Sequence, residues 1–137
     1  MENETRERVR ELLAVLPAEQ FTSLLDLGAG PGTAAWAACQ VFQQLQNITL
    51  LEHDKELMQL GQTFAAEAHD EALRRAEWLA QDLTNVTPFA PHDVVLASYA
   101  LGELSPAKAR QVVQAAWQAA NKTLVILEPG TMKGFAL

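Results

Sequence analysis

Ten residues, Leu24-Leu25-Asp26-Leu27-Gly28-Ala29-Gly30-Pro31-Gly32-Thr33, limit the possible folds of this chain more than any other stretch. An apolar run breaks into glycines at alternate positions, and a small-residue, Ala-rich stretch follows. That pattern predicts a strand, a tight turn and a helix. Glycine permits backbone angles and close approaches that a Cβ blocks. A helix behind such a turn points free N–H groups and the positive end of its dipole at whatever lies above it. The stretch therefore reads as the nucleotide-binding corner of an α/β sheet.

The rest of the chain fits around that corner as strand and helix in alternation. Val9, Leu12, Leu13 and Leu16 recur at helical spacing, and Pro17 follows them, so a lead-in helix is expected over 5–16. Strands are expected at Leu24–Leu27, Ile48–Leu51, Arg75–Leu79, Asp93–Ala97 and Thr123–Leu127. Between them lie a helix from Thr33 to about Leu45, one capped by Asp54 and reaching about Ala68, and one over 106–120. Ser105-Pro106 is a strong start for the last of these, an N-cap followed by proline at the first helical position. Continuous apolar strands imply that both sheet faces are covered. Right-handed crossovers then give a Rossmann-like, doubly wound, mainly parallel five-stranded sheet with helices on both faces. One domain is expected over 1–137, with 1–20 as lead-in and 21–137 as the binding core.

Composition narrows the function classes. The chain has 137 residues, a net charge of −7 and a pI near 4.8, which disfavours non-specific adhesion to nucleic acid or anionic lipid but leaves a local basic patch or binding through a partner open. Arg74, Arg75, Lys108, Arg110 and Lys133 make no dense basic patch. The lone Cys39 permits no internal disulfide and no zinc cluster, and reads as a small buried apolar residue. No metal site is expected. No apolar run approaches the length of a membrane span. The N-terminus Met1-Glu2-Asn3-Glu4 reads as neither a signal nor a transit peptide, and a cytoplasmic location is expected.

In sheets of this kind the ligand lies beyond the carboxyl ends of the strands. Each end here carries something polar or small: Asp26 and the glycines, Glu52-His53-Asp54, Gln81-Asp82-Leu83, Ser98-Tyr99 and Glu128-Pro129. Glu52 lies about twenty residues beyond the glycine turn, where a carboxylate accepts both hydroxyls of a ribose. The alternative is a solvated strand-end acid. Asp82 is placed to accept an N–H from an adenine amine, or else to form a turn. Asp26 would fix the turn by accepting backbone N–H groups, or reach a ligand ammonium through water. His53 lies beside the base or is a plain surface residue. His69 and His92 read as solvated, and Trp36, Trp78 and Trp117 as core.

The glycine spacing separates nucleotide classes. The dinucleotide fingerprint is G-x-G-x-x-G, whereas this chain has Gly28-x-Gly30-x-Gly32 with Thr33 at the third dinucleotide position. A diphosphate needs that later glycine for close approach to the helix. No Gly-Lys-Ser/Thr follows, so this is not a P-loop. A nicotinamide-dependent oxidoreductase is thereby disfavoured.

Along nearly its whole length the chain resembles the class I S-adenosylmethionine-dependent methyltransferases. Leu25 to Thr33 is similar to their first motif, and Leu51-Glu52-His53-Asp54-Lys55-Glu56-Leu57-Met58 to their second. Gln81-Asp82-Leu83 is similar to the third and Asp93 to Leu104 to the fourth. More narrowly, Ser98-Tyr99-Ala100-Leu101-Gly102-Glu103-Leu104 and Leu127-Glu128-Pro129-Gly130-Thr131 with Gly134-Phe135 resemble the methyltransferase-like proteins of the small ribosomal subunit.

The resemblance implies S-adenosylmethionine as cofactor, held by Asp26, Gly28, Ala29, Gly30, Gly32, Glu52, His53, Asp82, Leu83 and Ser98. It places Tyr99, Glu103 and Glu128 on the acceptor side, with Glu103 alternatively capping the next helix. It implies work on ribosomal RNA or in small-subunit assembly, by an enzyme or by a catalytically silent cofactor-binding module. That fold normally continues with a helix and a β-hairpin, which this sequence lacks, as it lacks the family's later metal-binding cysteines. The edge of the last strand is then expected to be covered by the tail or by another molecule, including a second copy of the chain.

Overall fold

Strands with no polar face need cover on both sides, and the chain supplies it unequally. The computed structural model describes residues 3–16, 20–85, 88–98 and 100–128. In chain order the elements are α1 (Asn3–Leu13), β1 (Ser23–Leu27), α2 (Thr33–Val41), β2 (Asn47–Leu51), α3 (Lys55–Ala66), α4 (Glu71–Arg74), β3 (Glu77–Leu79), β4 (His92–Ser98), α5 (Pro106–Ala119) and β5 (Ala120–Leu127). The five strands lie in the order β3-β2-β1-β4-β5, and every pair is parallel. The order reverses between β1 and β4, which opens a crevice at the carboxyl ends of the central strands. The fold is a Rossmann-like parallel α/β sheet.

Alternation along the strands sorts the core into two halves. Leu24, Ile48, Leu50, Val94 and Leu96 face α1, α2 and α4, where Val9, Leu13, Ala38 and Leu73 meet them. Leu25, Leu27, Val95 and Ala97 face α5, through Val112, Val113 and Ala116. Asp26 pairs with Leu50 and Leu96 in register, so its side chain shares the α1–α2 face. Among the described residues no helix is long and apolar enough to cross a membrane.

Several local expectations are corrected. Helix α2 stops at Val41, because Phe42 turns out of helical geometry and sets its ring edge-on to Phe21 at 5.1 Å. The single turn α4 is too short to leave a periodic signal. Strand β3 has three residues, and β5 begins at Ala120, directly after α5. His92 is buried, not solvated: its Nδ1 is 2.8 Å from the Ala90 carbonyl and its Nε2 3.2 Å from the Thr49 hydroxyl. A carbonyl only accepts, so Nδ1 carries a proton. Trp117 is 68% exposed rather than core, because it flanks the inward stripe of α5 and lies over Leu124 and Ile126. Leu57 and Leu60 of α3 are also exposed.

Candidate functional site

The turn after β1 is shaped by left-handed glycines and pinned by backbone bonds. Gly28 has φ 67° and Gly30 φ 57°, a region that side chains with a Cβ rarely enter. A Cβ on Gly28 would stand 2.7 Å from the Ala100 Cβ, so this glycine lets the loop after β4 close over the turn. A Cβ on Gly30 would meet nothing within 4 Å, because that side of the turn is open. The Ala29 N–H donates to the Leu51 carbonyl at 2.9 Å, which ties the turn to the end of β2.

Glu52 completes the attachment. It is 6% exposed, yet both its oxygens are partnered. Oε1 accepts from the Gly30 N–H at 2.7 Å and Oε2 from the Asp54 N–H at 2.9 Å. Asp54 in turn caps α3 by accepting from Glu56 and Leu57 N–H groups. His53 stands out into solvent with its Nδ1 3.8 Å from Glu52.

Asp26 does not fix the turn by accepting backbone N–H groups; Glu52 does that. Its strand position turns it toward the α1–α2 face. It is fully buried, and neither carboxyl oxygen has a hydrogen-bond partner among the described residues. Burial, and then the charge of Glu52, push its pKa up to about 8. The carboxyl is thus held protonated at neutral pH.

Above the turn lies a cavity of about 360 Å³, within the size range of small-molecule sites. Of the residues expected at the site, it is lined by Gly28, Gly30, Glu52, His53, Asp82, Leu83 and Glu103. Asp26, Ala29 and Gly32 do not line the cavity, and Ser98 pairs with Leu127 at the end of β4. Glu128 sits apart, near Gly102, with Oε1 buried and unpartnered among the described residues; burial raises its pKa. Tyr99, Pro129 and the tail to Leu137 lie outside the described residues.

Sequence reasoning missed Asp54, Leu57, Gln81, Ala100 and Leu104 as lining residues. Gln81 had a signal, since it adjoins Asp82. Leu57 reads as helix core by spacing alone. Glu103 lines the cavity and does not cap α5; Ser105 does, accepting from the Lys108 N–H at 3.2 Å. Asp82 accepts from the Thr84 N–H at 2.9 Å, and this bond first among several holds its carboxyl below the usual range. Among the described residues the lining thus carries four carboxylates, Glu52, Asp54, Asp82 and Glu103, and no lysine or arginine.

Solved methyltransferases share this fold. The mitomycin 7-O-methyltransferase MmcR superposes with TM-score 0.76 at 17% identity, over 96% of this chain and 38% of that one. The glycopeptide N-methyltransferase MtfA, complexed with S-adenosylmethionine, superposes with TM-score 0.71 at 18% identity, over 88% of this chain and 53% of that one. The chain has the fold of the class I S-adenosylmethionine-dependent methyltransferases. Within that class it belongs to the family described as mitochondrial small ribosomal subunit Rsm22, which matches residues 6–137.

Among curated proteins, the human mitochondrial ribosome assembly protein METTL17 is 30% identical over 131 residues, which are 93% of this chain and 28% of that protein. A trans-aconitate 2-methyltransferase of Azoarcus sp. (strain BH72) is 26% identical over 96 residues, covering 70% of this chain and 34% of that enzyme. The chain therefore spans about a third of these relatives or less. The expected cytoplasmic location does not stand, because the family description and the human relative are both mitochondrial.

Proposed function

We propose that the cavity over the glycine turn holds S-adenosylmethionine and that the chain serves small-subunit assembly as a methyltransferase-type module. The observation that carries this reading is the Glu52 carboxylate, set on the Gly30 N–H at the floor of an acid-lined cavity. Each Glu52 oxygen has one further lone pair, enough to accept the two hydroxyls of a ribose. Asp82, at the cavity wall, would take an adenine amine. Leu57, Leu83 and Leu104 give the base apolar walls.

The fit test is chemical. Four carboxylates, with no lysine or arginine among the described lining residues, repel a diphosphate and favour a ligand with sulfonium and ammonium charges. That argues against a nicotinamide dinucleotide. The open face at Gly30 is the cradle that a side chain would fill.

When bound, the cofactor supplies a methyl carbon already activated by its sulfonium. The chain's part is to bind, orient and exclude water. Glu103 lines the cavity and is exposed, so it would meet an acceptor on ribosomal RNA or an assembly intermediate. The human relative is named for assembly rather than for transfer, which favours a second reading, a cofactor-binding module without turnover.

Calorimetry separates the ligand classes: S-adenosylmethionine is expected to bind and NAD is not. Tritiated-methyl transfer to small-subunit RNA and assembly intermediates then separates enzyme from silent module. Equal binding of NAD would overturn the cofactor assignment.

A further inference from the structure

The glycine turn has a second support that the ribose and base contacts do not use. On β3, Trp78 lies opposite Leu50 and joins the core of the α1–α2 face. Its indole edge is wedged between two glycines of different elements. A Cβ on Gly61, in the middle of α3, would stand 2.3 Å from Trp78 Cη2 and 2.8 Å from the Pro31 carbonyl oxygen. A Cβ on Gly32 would stand 3.3 Å from the same Cη2. Helix α3 therefore lies directly against the middle of the turn, and only a bare helix face allows this. A glycine inside a helix costs helix stability, so its place here answers to the contact.

Trp78 also reaches the turn by a second route. Its neighbour Leu79 accepts the Glu52 N–H at 3.0 Å, and the Glu52 carboxylate accepts the Gly30 N–H. Both ends of the turn, Gly30 and Gly32, are thus referred to one indole on a three-residue strand.

We propose that Trp78 and Gly61 are positioning residues that set the height of the Gly30–Gly32 turn, and through it the shape of the cofactor cavity. This rests on the reading that the cavity holds an adenosyl cofactor. A Cβ at 61 has nowhere to go except into the indole or the Pro31 carbonyl. It shifts the turn by a fraction of an ångström to an ångström, and a misplacement of that size costs binding and catalytic sites up to about 100-fold.

The test compares wild type, Gly61→Ala and Trp78→Phe, with Val112→Ala on α5 as a stability control. Calorimetry with S-adenosylmethionine reads affinity, thermal unfolding reads stability, and amide exchange at Gly30 reads the turn without ligand. Gly61→Ala is expected to lose about 10- to 100-fold in affinity and to speed Gly30 exchange. Val112→Ala should lower the melting temperature with affinity unchanged. Trp78→Phe placed in the Gly61→Ala background shortens the ring and should recover part of the affinity. Should Gly61→Ala fail to fold, Trp78→Phe alone carries the same two readouts.

Unchanged affinity and unchanged Gly30 exchange in Gly61→Ala and Trp78→Phe would overturn the positioning role while leaving the cofactor reading intact. A wild type that binds no S-adenosylmethionine overturns the cofactor reading. Gly30 exchange then still decides whether these residues hold the turn.

Discussion

Replacing Asp26 by Asn should make the protein more stable, and increasingly so as pH rises. The carboxyl is fully buried with both oxygens unpartnered among the described residues, and burial together with Glu52 raises its pKa to about 8. An ionised carboxylate in that position would have no donor to offset its lost hydration. Below about pH 4 the group is protonated in folded and unfolded chains alike, and its contribution is fully present. Between about pH 4 and 8 the unfolded chain releases a proton that the folded chain keeps. Stability then falls by roughly 1.4 kcal/mol per pH unit. From pH 5 to pH 8 that amounts to about 3–4 kcal/mol in the wild type. Asn has nearly the same shape and does not titrate. The stability difference between variant and wild type should therefore widen by that amount over the interval. Urea unfolding at half-unit steps of pH measures it, and taking the difference removes the other titrating groups. A Glu52→Gln background should narrow the window by removing the neighbouring charge. Parallel curves for the two proteins, within about 1 kcal/mol, would show that the folded state ionises Asp26 freely.

Three further outcomes follow from the site and its supports. Glu52→Ala removes the acceptor of the Gly30 and Asp54 N–H groups; it should weaken S-adenosylmethionine binding by about 1–3 kcal/mol, and calorimetry showing unchanged affinity would refute its role. Ser105→Ala deletes the cap on the Lys108 N–H and should cost about 1 kcal/mol in denaturant unfolding, with no effect on cofactor affinity. The Cys39 thiol is buried, and burial pushes its pKa up to about 12. It should resist iodoacetamide at pH 8 until the chain unfolds, and rapid native labelling would contradict its placement.

The sheet was legible because its strands are apolar on both sides and its turns are chemically distinct. Glu52 was legible by its spacing from the glycines. What escaped the sequence is side-chain direction. Alternation alone placed Asp26 in a strand, but only pairing with Leu50 and Leu96 shows which face it takes. Helical spacing sets Leu57 on one side of α3 with Leu60 and Phe64 but does not show that it lines the cavity. Trp117 read as core because α5 is amphipathic, yet its position lies at the flank of the buried stripe. His92 gave no signal because its partners, Ala90 and Thr49, lie on different segments. Gly61 is silent in sequence, since one glycine in a helix says nothing about what presses against it.

Glu52 spans two loops with one side chain, and that has a kinetic meaning. A flexible phosphate-type loop must be frozen by its guest, and the freezing weakens the grip. Here an internal carboxylate already ties the floor to the end of β2 through the Gly30 and Asp54 N–H groups. Entry then depends on exchanging water at the rim, so capture should be quick and little altered by temperature-driven loosening of the turn.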